Sequence, residues 1–200
     1  MRFLGKGVPY LAVVGSIALL MGCVGFAYAD NNHAAAYSRI GVGARALGMG
    51  GAFVAVADDP TATVWNPAGL ARVEKLAFTF MYTGSYDFDR SHNYFGYAQS
   101  FGLGSIGIGW TNAGWDEFQG YNSMGGSTGD FDISDNLVML GLARQFGHFG
   151  FGIAGRLYDQ KIDDESESGG GIDFGAFFEA HRRLNFGVAV QDIELSLIHI

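Results

Sequence analysis

The sequence predicts an all-β protein: a transmembrane, antiparallel up-and-down β-barrel with a small N-terminal plug. Three observations carry this. From Glu74 onward, successive runs alternate a bulky side chain with a small one, which is the period of a strand, and each run is near the roughly nine to eleven residues that a tilted strand needs to cross hydrocarbon. The links between the runs alternate long and short, as do the external loops and periplasmic turns of outer-membrane barrels. Ahead of them, Ile40–Ala71 concentrates small residues, which let backbone approach backbone inside a confined lumen.

The chain has 200 residues, 48% of them hydrophobic, with 32 glycines against only 3 prolines, a balance unusual for a soluble core. A charged fraction of 16% suits a sheet that meets lipid on one side. The formal charge is −8, and removal of Arg2 and Lys6 with a leader would make it −10. Such a chain has no electrostatic case for binding nucleic acid. Residues Met1–Ala29 read as a secretory leader: Arg2 and Lys6 form a basic start, Val8–Phe26 is apolar, and Ala27-Tyr28-Ala29 is a small-x-small cleavage site before Asp30. Two other readings exist for the same segment. Val8–Phe26 is nearly long enough to be a membrane anchor, and Leu20-Met21-Gly22-Cys23 resembles a lipidation site at the only cysteine.

Residues 30–72 form the expected plug. Gly41, Gly43, Ala44, Ala46, Gly48, Gly50, Gly51 and Ala52 leave little side-chain volume. Asp59 offers an N-cap oxygen and Pro60 fits a first helical position, which predicts a short helical turn over Thr61–Trp65. Pro67 biases Asn66 away from the helical region, and Gly69 permits a tight reversal into the first strand. The run Gly43–Asp59, closed by Trp65-Asn66-Pro67-Ala68-Gly69-Leu70-Ala71, resembles the N-terminal signature of the FadL superfamily of outer-membrane proteins, and within it the PorV/PorQ branch. The resemblance covers about thirty positions in order, and the family's Asn-Pro-Ala motif falls on Asn66, Pro67 and Ala68. It implies an N-terminal hatch inside a barrel of about fourteen strands. It also implies either transport of hydrophobic small molecules or, in the PorV/PorQ type, service to a type IX secretion system by binding secreted proteins. On that basis the plug motif is Arg45, Asp58, Asp59, Asn66, Pro67, Ala68 and Gly69.

Seven strands are expected within residues 73–194: Leu76–Tyr82, Asn93–Phe101, Ser105–Thr111, Asn136–Phe146, Phe149–Tyr158, Ile172–Ala180 and Leu184–Gln191. In Ser105–Thr111, for example, Ile106, Ile108 and Trp110 share one face while Gly107, Gly109 and Thr111 share the other. A soluble sandwich would carry Lys, Glu and Thr on its outward face instead of Gly and Ala. The small face therefore reads as a packed interior and the bulky face as one that meets lipid. Gly84–Ser91, Gly114–Ile133 and Asp159–Gly169 are the expected long external links. Tyr82, Tyr94, Trp110 and Tyr158 toward the long links, and Phe101, Phe146 and Phe149 beside the short ones, are candidates for interfacial aromatic girdles. Seven is half of the implied fourteen, so a truncated barrel is expected. The final hexapeptide, residues 195–200, reads like the translation of a sequencing adapter, which would place the native stop near Glu194.

No arrangement points to catalysis, so the chain is not expected to be an enzyme or to hold a cofactor. The five histidines lack metal-ligand spacing. Gly41–Ala46 has the form GxGxxA but no preceding strand. Asp130-Phe131-Asp132-Ile133-Ser134 begins like a calcium loop, yet lacks the glycine and glutamate that such a loop needs. Two sharper expectations remain. Arg156 and Asp173 fall on the small face and should pair inside the barrel, and Arg45 should find Asp58, Asp59 or Glu179, because enclosed charges are paired or hydrated. Trp115, Phe118, Tyr121 and Phe131, on the longest link, are candidate contacts for a hydrophobic ligand or a secreted-protein signal. The expected location is the bacterial outer membrane, with lipid as the surrounding partner.

Overall fold

The computed structural model describes residues 36–85, 90–121, 123–163, 165–181 and 184–198. The expected leader (1–29) with Cys23, together with His33 and His199, lies outside the described residues. Seven strands, β1 (Leu76–Ser85), β2 (Arg90–Phe101), β3 (Gly104–Tyr121), β4 (Ser127–Phe146), β5 (Phe149–Ile162), β6 (Glu165–His181) and β7 (Leu184–Ile198), form one antiparallel sheet in strict sequence order. β1 pairs only with β2 and β7 only with β6, so the sheet is open.

Alternation decides what each face does. On β4 the side chains of Leu137, Met139 and Ala143 are buried while Val138, Leu140, Leu142 and Phe146 are exposed. On β5, Ala154, Arg156 and Tyr158 are buried against exposed Phe149, Phe151, Ile153 and Leu157. The exposed face is thus the bulky apolar one, with Phe80 72% and Leu140 52% accessible. Small residues lie across from one another on the inner face: Gly96 opposite Gly109, Gly107 opposite Gly141, Gly152 opposite Gly175.

The core is made by the N-terminal segment lying on that inner face. Short helices α1 (Ala44–Gly48) and α2 (Ala62–Trp65), with 3-10 turns at Ala36–Arg39 and Pro67–Arg72, bury Val42, Phe53, Leu70 and Val73 among Tyr94, Ala98, Leu137 and Met139. The Pro67–Arg72 turn touches five consecutive strands, β2 to β6.

Three expectations are corrected. Two of the long links are mostly strand: β3 and β4 run on to Tyr121 and back from Ser127, while β5 runs to Ile162 and β6 starts at Glu165. Trp115, Phe118, Tyr121 and Phe131 therefore sit on a paired hairpin, with Trp115 opposite Ile133 and Phe118 opposite Phe131, and not on a loop. Polar residues and glycine keep the backbone ladder there while erasing the apolar alternation that marks a strand in sequence. Tyr94 and Tyr158 are buried on the inner face and so belong to no outward girdle. β7 also continues through Leu195 to Ile198, where Leu197 pairs with Gly169.

Candidate functional site

The contact between the N-terminal segment and the inner face is where polar and charged side chains meet. Its centre is Asn66-Pro67-Ala68-Gly69, all four buried. Asn66 is extended, with φ −164°, and its Oδ1 accepts from Ala68 N at 3.1 Å, capping the 3-10 turn that Pro67 opens. The Asn66 Nδ2 donates to Val54 O at 2.8 Å within the segment and to Ala176 O at 3.2 Å on β6. One side chain thereby fixes the turn, the preceding chain and the sheet. The sheet admits it through the Gly152–Gly175 pair: an added Cβ on Gly175 would stand 2.0 Å from Asn66 Oδ1, and one on Gly152 would stand 2.3 Å from Ala68 N. Gly69 is equally confined, 2.6 Å from Ala57 O.

Asp59 accepts from Thr61 N at 2.8 Å and from the Thr61 hydroxyl, which organises the start of α2. Pro60 O then accepts from Tyr94 Oη at 2.7 Å, and Thr63 Oγ1 lies 3.0 Å from the same hydroxyl. Arg45 pairs with Asp58 within the segment, not with Asp59 or Glu179. That hydrogen bond raises the Arg45 pKa above its ordinary value, against burial. Both side chains are about half exposed (53% and 43%), so the pair adds little stability. Glu179 instead accepts from Arg72 Nε at 3.2 Å; Arg72 also donates to Ala55 O at 2.7 Å and stacks over Phe177, 3.7 Å from the ring centroid.

Arg156 and Asp173 meet on the inner face, Nε to Oδ2 at 2.5 Å, with side-chain exposures of 2% and 0%. They are diagonal neighbours, since Asp173 stands opposite Ala154 and Arg156 opposite Gly171. The sequence pattern missed the rest of this cluster. Asp192 N donates to Asp173 Oδ1 at 2.9 Å, Asp192 Oδ1 lies 3.7 Å from Arg156 Nη1, and Tyr158 Oη donates to Asp192. Arg156 Nη2 reaches Val64 O at 3.3 Å, and Gln191 Nε2 donates to the same carbonyl. The cluster therefore grips the end of α2 from three strands. Strict alternation from Val188 and Val190 would turn Asp192 outward. The irregular β6–β7 register and the positive φ of Asp192, 57°, turn it in.

Toward the β3–β4 hairpin, Tyr37 Oη donates to Asn136 O at 2.8 Å, and burial raises the Tyr37 pKa. Met81 S accepts from Gly43 N at 3.3 Å. Of the four aromatics expected to serve as contacts, Trp115 is half-buried under the Arg90 guanidinium, 5.8 Å from its ring centroid, while Tyr121 is exposed at the hairpin tip.

The outer face carries its own order. Asn93, Asn112 and Asn136 stand side by side on β2, β3 and β4, linked by Asn93 Nδ2 to Asn112 Oδ1 at 3.3 Å and Asn112 Nδ2 to Asn136 Oδ1 at 3.1 Å. Trp110 Nε1 donates to Asn136 Oδ1 at 3.3 Å from the same face. Tyr82 on β1, and Asp159 and Ser168 on β5 and β6, continue the row. At the opposite end Phe146, Phe149, Phe178 and Phe186 form a second row, with Phe149 and Phe178 stacked at 4.6 Å. Between the rows the described outward side chains of β4, β5 and β6 are apolar or glycine apart from Arg144, whose guanidinium lies 4.8 Å from the Phe146 ring.

No protein-family model, curated protein or solved structure matches the chain.

Proposed function

We propose that this chain is an outer-membrane β-barrel protein of the FadL type, plugged by residues 30–72 and carrying hydrophobic small molecules. The observation that supports this best is the apolar outer band and its two borders. Asn136 and Phe146, Asp159 and Phe149, and Ser168 and Phe178 mark the two rows on three successive strands, ten residues apart each time. Ten residues at about 3.3 Å rise give about 33 Å along the strand, or about 25 Å along the normal at a tilt near 40°, which is the height of the apolar band of outer-membrane barrels. Burying such a face in water would need a second layer of apolar side chains, whereas acyl tails need none. No described helix is long and apolar enough to cross a membrane, which leaves the strands as the crossing elements of this reading.

The inner face supports the plug. Glycine pairs lie against segment backbone, and the buried Arg156 and Asp173 are paired with each other, as charges enclosed beneath a plug would need to be. In this reading Arg156 at Val64 O, Asn66 and Arg72 hold the C-terminal part of the plug, within residues 64–72. The test is expression of the chain with its leader in a Gram-negative host, followed by density fractionation and uptake of a radiolabelled long-chain fatty acid or aromatic hydrocarbon. Recovery in the inner membrane or cytosol, or uptake equal to the empty vector, would contradict the proposal.

A second reading, a PorV/PorQ-like accessory that binds secreted proteins, draws support from the β3–β4 hairpin. It continues past the asparagine row through Trp115 to Tyr121 as a paired ribbon. A rigid ribbon standing clear of lipid suits protein contact better than small-molecule capture. Crosslinking from position 121 to exported proteins, with no hydrocarbon uptake, would favour this reading over transport.

A further inference from the structure

The outer face holds a groove that none of the contacts above uses. It has a volume of about 510 Å3, with Gly155 and Gly170 as its floor and Leu140, Leu157, Ile172 and Ile193 as its walls. Pairing explains its form. Leu140 on β4, Gly155 on β5, Ile172 on β6 and Ile193 on β7 stand in one cross-strand row, while Leu157 and Gly170 stand opposite each other nearer the asparagine row. The β6–β7 register shifts on either side of Ile172, and Ile193 is exposed beside it.

Glycine weakens a strand interior, and it marks places where a ligand or another backbone comes close. On the inner face the N-terminal segment is what comes close: an added Cβ would stand 2.5 Å from Leu70 at Gly107 and 2.0 Å from Asn66 Oδ1 at Gly175. The two outward glycines have no such neighbour. A Cβ on Gly155 would meet nothing within 4 Å, and one on Gly170 would meet nothing nearer than Arg156 O at 3.4 Å. Among the described residues, none fills the space above them.

We infer that this groove seats one acyl chain of a membrane lipid as a fixed ligand, apart from the mobile lipid around it. The inference rests on the outer-membrane reading and goes beyond it by naming a site. Depth fits: from Asn136 to Leu140 is about 13 Å along the strand, or about 10 Å along the normal at a tilt near 40°, which lies inside the apolar band. Chemistry fits as well. The walls are hydrocarbon, and Arg156, which borders the groove, has its side chain on the inner face, 2% exposed and bonded to Asp173. No charged or hydrogen-bonding side-chain group is left there to hold a head group or a polar solute. Size separates an acyl chain from a second copy of this protein. At the roughly 30 Å3 that a water takes in the liquid, and a methylene is of similar size, about 510 Å3 holds on the order of a dozen or more methylenes. A leucine or phenylalanine reaching in from another copy would fill only part of it.

The test uses the full chain in phosphatidylcholine liposomes that contain a trace of the same lipid with a diazirine midway along one acyl chain. After irradiation, adducts are mapped by mass spectrometry. Adducts on Leu157, Ile172 and Ile193 exceed those on Ile108, Leu142 and Phe174, exposed residues away from the groove, by about tenfold, the ratio that about 1.4 kcal/mol of preferential seating gives. Gly155→Leu fills the floor and removes the excess, whereas Ala176→Leu, the same kind of added bulk elsewhere on the outer face, leaves it. Should Gly155→Leu fail to fold, the pattern on the unaltered chain and on Gly170→Ala, which reduces the excess, still decides. Even labelling over the whole face would overturn the inference and leave the outer-membrane reading standing. So would labelling that spares the groove alone, which would give it to a second copy. Absence of label from every outward residue would overturn both.

Discussion

Replacing Gly152 by alanine tests how tightly the N-terminal segment is held. An ideal Cβ at this position lies 2.3 Å from Ala68 N and from the Pro67 carbonyl carbon, more than 1 Å inside an ordinary contact of about 3.5 Å. The obstacle is backbone and cannot rotate away. It belongs to the turn that Asn66 ties to Val54 O, Ala176 O and Ala68 N. Overpacking costs about 1–3 kcal/mol, and three displaced hydrogen bonds add about 0.5–1.5 kcal/mol each, so Gly152→Ala should lose about 2.5–7.5 kcal/mol. Gly155 on the same strand faces outward with nothing within 4 Å, and Gly155→Ala should stay within about 0.5 kcal/mol of the parent. Urea unfolding in micelles separates the two, with Trp65 fluorescence, read in a background carrying Trp110→Phe and Trp115→Phe, reporting the segment and far-UV circular dichroism the sheet. Gly152→Ala should shift the Trp65 transition to lower urea. Coincident transitions for the two alanine variants would refute the packing argument.

Other expectations follow from the same contacts. Arg156→Met leaves the buried Asp173 carboxylate without its cation and should cost about 3–5 kcal/mol, whereas Asp173→Asn leaves Arg156 its longer contact with Asp192 and should cost less; the swap Arg156→Asp with Asp173→Arg should recover part of the loss in a double-mutant cycle, and strictly additive effects would deny the coupling. Asn66→Ala removes three hydrogen bonds and should cost about 1.5–4.5 kcal/mol, read from the same Trp65 transition. Leu140→Arg, in the middle of the apolar band, should destabilise the lipid-embedded protein by about 2–4 kcal/mol, whereas Asn136→Arg at its border should cost about 0–1 kcal/mol. Unfolding from liposomes measures both, and equal penalties would place the border elsewhere.

The strands of the apolar band were legible because outward and inward residues differ in bulk, and that difference recurs at every second residue along each of them. Beyond the asparagine row the cue fades: Gly114–Tyr121 and Ser127–Ile133 keep their pairing through the backbone while their side chains are polar, small or mixed. Tyr94 and Tyr158 show a different failure. Both share parity with inward residues, Gly96 and Ala98 for one and Arg156 for the other, and only their nearness to the long links suggested an outward girdle. Arg156 and Asp173 could be placed on one face from alternation alone. Asp192 could not, because the register shift between Ile172 and Phe174 reverses its parity relative to Val188 and Val190. The reach of Asn66 to Ala176 O depends on how far the sheet curls, which no local pattern encodes.

The most direct measurement of the central claim is spin-label accessibility in liposomes, with nitroxides placed one at a time at Asn136, Val138, Leu140, Leu142 and Phe146 along β4. If the bulky face meets acyl tails, collision with oxygen should exceed collision with a water-soluble nickel chelate at positions 138 to 142, with the ratio highest at 140 and falling toward 136 and 146. A flat profile dominated by the chelate would place this face in water and contradict the account.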